Sequence, residues 1–63
     1  MKVFGKTRLE NIEKIIGKEA NELLLDHLKK GGSKELAIEY EDNSIIYLTI
    51  ENNYVRYKLI EDD

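Results

Sequence analysis

The hydrophobic pattern of the chain changes at the Gly31-Gly32 pair. Before this pair, apolar residues recur every three or four positions, which is the period of a helix that packs on one side. After it, apolar and polar residues alternate in three short runs, which is the period of half-buried strands. The pattern therefore predicts an α+β domain in which two helices precede a sheet.

The helical half is expected to form two short helices, at about residues 7–16 and 18–30. Thr7 and Glu10 have the spacing of a capping box, in which each side chain bonds to the other's backbone amide, so the first helix should begin at Thr7. The apolar stripes before and after Gly17 point in different directions, which predicts a break at this glycine. One continuous helix is the alternative.

The end of the second helix has a strong local signal. Lys29 and Lys30 lie in the expected last turn, where positive charge interacts favourably with the helix dipole. Gly31 follows them and tolerates the left-handed conformation that often ends a helix. We therefore expect the helical half to end at about Lys30.

Three strands are expected in the second half, at about residues 35–41, 45–51 and 54–60. They form a three-stranded antiparallel meander with the two helices packed on one face. Residues 2–4 add either a short further strand or a hydrophobic plug.

The same alternation predicts the register of the strands. A two-residue turn at residues 52–53 makes one face of the second hairpin apolar throughout. A three-residue loop at residues 42–44 does the same for the first hairpin and places Ile38 opposite Leu48.

Length and composition indicate one small domain, residues 1–63. A chain of 63 residues without cysteine lies near the lower size limit for independent folding, so low stability or help from a second copy is expected. Homodimerisation is therefore a prediction. The chain shows neither the apolar stretch of a signal peptide nor that of a membrane span, and we expect a cytoplasmic protein.

The charges are unevenly distributed along the chain. Residues 1–34 carry eight Lys or Arg and five Asp or Glu, whereas residues 35–63 carry two and eight. This asymmetry favours docking within the chain, head-to-tail contacts between copies, or recognition of a basic partner by the acidic half. The alternative is a solvated surface that keeps a small domain soluble.

The face of the sheet that points away from the helices is the candidate binding surface. The predicted register gives it aromatic and aliphatic residues that act as apolar anchors, and carboxylates that meet a basic partner. The alternative is that the N-terminal segment or the tail covers this face. The candidate partner-binding residues are Ile45, Tyr47, Tyr54, Arg56, Lys58, Ile60, Glu39, Glu41 and Glu51.

The residue types argue against catalysis and against a cofactor or metal. His27 is the single histidine, and a lone histidine near a helix end is more often structural than catalytic. No combination of a nucleophile with a base is apparent, and the segment at residues 42–44 is too short for a calcium loop. We therefore expect a protein that is not an enzyme.

One set of residues runs through the helical half and into the first expected strand: Leu9, Ile12, residues 15–20, Leu24, Gly31, Gly32 and residues 36–38. This part of the chain resembles the N-terminal region of the phage middle-operon activator (Mor) family. In that family two short helices precede a Gly-Gly pair and a strand, and this region forms a dimer ahead of a DNA-binding helix-turn-helix. The resemblance implies a dimer through the helices and the strand, and a phage or mobile-element origin. It does not imply DNA binding, because strands replace the helix-turn-helix here.

The leading functional hypothesis is a non-enzymatic regulatory protein that acts by protein–protein contact, such as a phage-encoded inhibitor of a host protein. A sharper variant is that the acidic half imitates nucleic-acid phosphates and occupies a basic groove. The alternatives are a nucleic-acid-binding or transcription-regulatory module and a structural assembly module. Acidic strand residues make nucleic acid the less favoured partner.

Overall fold

The computed structural model describes residues 2–61 and confirms the α+β class. A single four-stranded antiparallel sheet has the strand order β1-β4-β3-β2, which corrects the predicted three-stranded meander. The helices α1 and α2 pack on one face of this sheet. The elements are β1 (Lys2–Arg8), a 3₁₀ turn (Leu9–Asn11), α1 (Glu13–Ile16), α2 (Lys18–Lys29), β2 (Glu35–Glu39), β3 (Ile45–Glu51) and β4 (Tyr54–Ile60).

Strand β1 is the main difference from the prediction. It pairs with β4 from Lys2 to Arg8, so residues 2–4 are the start of a full strand. Thr7 lies opposite Val55 in this ladder, and the predicted capping box is therefore wrong. Strand β1 ends at Arg8, and the 3₁₀ turn begins at Leu9.

Gly5 explains how β1 fits against its neighbour. It lies opposite Tyr57, and a Cβ atom at this position would overlap the Tyr57 ring. The ring thus covers the strand where Gly5 has no side chain of its own, which is a common way to stabilise a glycine in an edge strand.

The break between the helices at Gly17 is confirmed. Gly17 has φ 95° and ψ 163°, a conformation that essentially only glycine adopts. The first helix is shorter than predicted, because β1 and the 3₁₀ turn take up the residues before Ile12. The Tyr40 hydroxyl donates a hydrogen bond of 2.9 Å to the Ile16 carbonyl and so ties the break to the sheet.

Helix α2 ends as the sequence predicts. Gly31 has φ 76°, its amide donates to the Leu28 carbonyl, and the Gly32 amide donates to the His27 carbonyl, which together form a Schellman motif. The His27 ring packs on Gly32, and its Nε2 lies 2.8 Å from the Ser33 carbonyl oxygen, to which it donates. The histidine therefore holds the connection between α2 and β2.

The β3–β4 register is confirmed, but the β2–β3 register differs from the prediction. Ile50 lies opposite Val55 as expected, whereas Ile38 lies opposite Ile46 and not Leu48. The Tyr40 amide donates to the Ser44 carbonyl, so the three-residue loop comprises residues 41–43. The shift by two positions leaves each side chain on its predicted face.

The side chain of Asp42 explains this loop position. Its carboxylate accepts hydrogen bonds from the Ser44 amide, at 3.0 Å, and from the Ser44 hydroxyl, and Ser44 is buried. Asn43 adopts φ 71°, the left-handed conformation that asparagine tolerates. These contacts hold the turn, and β3 begins at the next residue, Ile45.

The core lies between the helices and the inner face of the sheet. Its buried residues come about equally from the two layers, and a second set of half-buried side chains surrounds them. The buried residues are Ile12, Ile16, Ala20, Leu24, Ile38, Ile46, Leu48, Ile50 and Val55.

Candidate functional site

The open face, which we define as the side of the sheet away from the helices, carries most of the predicted binding residues. Strand alternation and the observed register bring eight of the nine together there. Glu41 is the exception, because it lies in the β2–β3 loop. The eight are Glu39, Ile45, Tyr47, Glu51, Tyr54, Arg56, Lys58 and Ile60.

Strand β1 adds four residues that the sequence analysis missed. Their partners on β4 are open-face residues, so they lie on the open face as well. Long side chains alternate with Val3, Gly5 and Thr7, which is the pattern of a strand. The glycine within this pattern weakened the prediction of a strand. The added residues are Lys2, Phe4, Lys6 and Arg8.

Three aromatic side chains are exposed on this face. Phe4 is 67% exposed, Tyr47 44% and Tyr54 41%. Ile45 and Ile60 lie opposite each other and are only half-buried, so they offer less apolar surface than the aromatic rings do. Exposed aromatic residues at the centre of a surface are the usual anchors of protein interfaces.

Cations lie beside two of these rings. The Lys6 Nζ is 4.9 Å from the centroid of the Tyr54 ring, and the Lys58 Nζ is 5.7 Å from that of Phe4. Both distances are within the range of cation–π attraction. These contacts orient the rings while leaving one side of each exposed.

The charges divide the open face into two halves. The cations lie on β1 and β4: Lys2, Lys6, Arg8, Arg56 and Lys58. The carboxylates lie on β2 and β3: Glu35, Glu39 and Glu51. Only one ion pair within the described part of the open face joins the two halves, between Arg56 Nε and Glu51 Oε1 at 3.1 Å.

The helical layer also has exposed features. Leu23 is 57% exposed and Leu25 50%, on either side of the buried Leu24. A groove of about 690 Å³ separates α1 from the sheet, with Ile15 on one wall and Leu59 on the other. The two leucines are apolar, whereas the groove is of mixed character because Glu19, Glu41 and Asp42 also line it.

Two ionisable groups of the β2–β3 connection have shifted pKa values. Burial, followed by the nearby Asp42 carboxylate, raises the pKa of Tyr40. The hydrogen bonds from the Ser44 hydroxyl and amide lower the pKa of Asp42. Burial against the helical layer and the hydrogen bonds of the turn explain these two shifts respectively, and neither group lies on the open face.

Residues 2–61 contain no group of three His, Asp or Glu side chains arranged to hold a metal ion. Within the same residues, no helix has the length and apolar character needed to cross a membrane. The chain matches no protein-family model, no curated protein and no solved structure. Its function is therefore argued from the open face itself.

Proposed function

We propose that this chain is a non-enzymatic binding protein that acts by protein–protein contact through the open face of its sheet. The observation that carries the proposal is the exposure of Phe4, Tyr47 and Tyr54 on one side of a four-stranded sheet. The resemblance to the Mor family adds to this proposal a regulatory role, such as inhibition of a host protein, and a phage or mobile-element origin.

The mixture of charges around the aromatic residues favours a protein as the partner. Protein interfaces combine aromatic anchors with a polar rim that carries both signs of charge. Glu35 and Glu39 would repel the phosphates of a nucleic acid at one edge of the open face, whereas the basic and acidic side chains of a protein can match both halves.

Site-specific photo-crosslinking in cells tests this proposal. A benzophenone amino acid replaces Tyr47 on the open face in one variant and Leu23 on the helical layer in a control. The two positions have similar exposure, 44% and 57%, so the crosslinker has similar access to solvent at both. We expect protein adducts from position 47 and few from position 23. Equal yields at the two positions, or no adduct at position 47, would contradict the proposal.

A second candidate function is binding of single-stranded nucleic acid, and β1 is the observation that favours it. This strand brings Lys2, Lys6 and Arg8 to the same face as the exposed aromatic rings, and stacking on aromatic side chains beside cations is how sheet surfaces hold unpaired bases. A shift assay with single-stranded DNA and RNA at low salt tests it. Binding that is lost in Phe4→Ala and falls steeply with salt would favour nucleic acid over a protein partner.

A further inference from the structure

We propose that the open face is self-complementary and binds a second copy of this chain about a two-fold axis parallel to the strands. This inference rests on the proposed function and identifies the protein partner as a second copy of the chain. It starts from the strand order β1-β4-β3-β2, which places the basic strands on one side of the face and the acidic strands on the other.

The cross-strand register arranges the open face in rows. Each row runs across the sheet from β1 to β2 in the order of the strands. A two-fold axis that runs between β4 and β3 leaves each row at the same height along the strands. It reverses the order of the four residues within the row, so β1 faces β2 of the second copy and β4 faces its β3. The three complete rows are Lys2-Ile60-Ile45-Glu39, Phe4-Lys58-Tyr47-Ala37 and Lys6-Arg56-Thr49-Glu35.

The charges of the two outer strands, β1 and β2, match under this operation. Lys2 of one copy lies over Glu39 of the other, and Lys6 lies over Glu35. The two-fold axis repeats both pairs, which gives four opposite-charge contacts around the rim of the interface. Such a rim selects the orientation of the two copies.

The sizes and chemistry of the central residues match as well. Phe4, the most exposed aromatic residue, lies over Ala37, where a small side chain leaves room for the ring. Lys58 lies over Tyr47, a further cation–π arrangement. At one end of the face, Ile60 lies over Ile45, so apolar surface meets apolar surface.

The other two-fold arrangement of the same face is electrostatically unfavourable. An axis in the plane of the sheet but perpendicular to the strands places β1 over β1, keeps the direction of each row and reverses the order of the rows along the strands. With this axis over the middle of the three complete rows, Lys2 would lie near Lys6 of the second copy, and Glu35 would lie near Glu39. Like charges would meet at both edges, so the charge pattern selects the axis parallel to the strands.

The area of the open face indicates a weak dimer. Four strands about 4.8 Å apart and seven residues at about 3.4 Å each give a face of roughly 19 × 24 Å. Two such faces bury roughly 900 Å² in total, which is just below the range of stable interfaces. The dimer should therefore form at high protein concentration and weaken as salt screens its rim.

Charge-reversed variants test the inference by sedimentation equilibrium. The acidic variant carries Lys2→Glu and Lys6→Glu, and the basic variant carries Glu35→Lys and Glu39→Lys. All four positions are exposed, so the fold should persist in both variants, and circular dichroism checks this.

We expect wild-type protein at high concentration to approach twice the 7.4 kDa of the chain. Each variant alone should dimerise at least about tenfold more weakly, because like charges replace all four rim pairs. An equimolar mixture should recover the dimer, because both opposite-charge pairs are restored between unlike copies. A separate Ala37→Lys variant, which fills the space opposite Phe4, should also prevent dimerisation.

Three results would overturn the inference. The first is a wild-type protein that stays monomeric at every concentration. The second is a mixture of variants that fails to recover a dimer. The third is a dimer that all these variants leave unchanged, which would favour the interface through the helices and residues 36–38 that the Mor resemblance implies. If position 47 still crosslinks to a different protein, the proposed function stands and only its partner is wrong.

Discussion

The two faces of the sheet come from the same strands but have opposite character. Along β3, Ile46 is 2% exposed and Leu48 1%, whereas Tyr47 between them is 44% exposed. The inner face consists of aliphatic side chains that pack against the helices. The open face consists of aromatic rings and charges. One stretch of sequence thus specifies the core at alternate positions and an exposed aromatic and charged surface at the others.

This difference is the basis of the proposal that the open face is the binding surface. Aliphatic residues on the inner face satisfy the requirement for a buried core in a chain of 63 residues. Three exposed aromatic residues on the open face do not contribute to that core. Substitutions on the inner face should therefore act on stability, and substitutions on the open face should act on binding.

The largest expected effect is on the inner side of α2. Leu24 is fully buried and Leu23, its neighbour, is 57% exposed. Leu24→Ala should cost about 2–5 kcal/mol, which is enough to unfold much of a domain this small, whereas Leu23→Ala should change the free energy of unfolding by less than about 0.5 kcal/mol. Urea unfolding followed by circular dichroism measures both. Equal losses would break the distinction between the two sides of the helix.

The next largest effect on stability is expected at Gly17, the break between α1 and α2. Gly17→Ala should cost about 1–3 kcal/mol, because its φ of 95° and ψ of 163° are essentially restricted to glycine. Gly31→Asn is the control, since asparagine tolerates the left-handed φ of 76° found there. Thermal unfolding should show a clear loss for the first variant and a small one for the second; the reverse order would be inconsistent with the described helix break.

A smaller effect distinguishes an inner tyrosine from an outer one. Tyr40→Phe removes the hydrogen bond to the Ile16 carbonyl and should cost about 1 kcal/mol. Tyr47→Phe, on the open face, should leave stability unchanged. Chemical unfolding of the two variants at neutral pH measures the difference.

The raised pKa of Tyr40 adds a pH dependence to this comparison. Because folding raises this pKa above the ordinary value of 10.0, the associated stability is fully present below that value and is lost as pH rises through the folded-state pKa. Tyr40→Phe should therefore reduce the alkaline loss of stability. An unchanged alkaline profile would contradict the assigned environment of Tyr40.

The smallest effect is expected at the β2–β3 turn. The lowered pKa of Asp42 means that its contribution to stability is present above the ordinary value and is lost as pH falls through the folded-state pKa. Asp42→Asn keeps an oxygen that accepts from Ser44 but should remove this acid dependence. Asp42→Ala should lower the melting temperature at neutral pH as well. Acid titration of the melting temperature measures both, and equal profiles for wild type and Asp42→Asn would refute the assignment.

The sequence predicted much of the second half of the fold, because its local signals agreed with one another. The alternation of β3 and β4 and the turn at residues 52–53 left one register in which an apolar face is continuous. The helix break at Gly17 and the ending at Gly31 were likewise local signals.

The predictions were wrong where a side-chain contact, or a residue distant in the sequence, determines the local structure. Thr7 and Glu10 matched a capping box, but pairing with β4 holds Thr7 in a strand. Gly5 weakened the strand pattern because its packing comes from Tyr57, a residue far along the chain. The loop at residues 41–43 depends on hydrogen bonds from Ser44 to Asp42, which alternation alone does not indicate.

The candidate site was predicted in part for the same reasons. The open-face residues of β3 and β4 followed from the confirmed register, including Tyr47 and Tyr54. The basic residues of β1 were not predicted as part of the site, because the full strand was not predicted. They complete the division of the open face into a basic and an acidic half.

The most direct test of the central claim is an NMR dilution series of the wild-type protein. As concentration rises, our account predicts that chemical-shift changes cluster on open-face residues such as Phe4, Tyr47 and Lys58, while α2 stays unchanged. Changes centred on the exposed Leu23 and Leu25 of α2, or no concentration dependence at all, would contradict the claim that the open face binds a second copy.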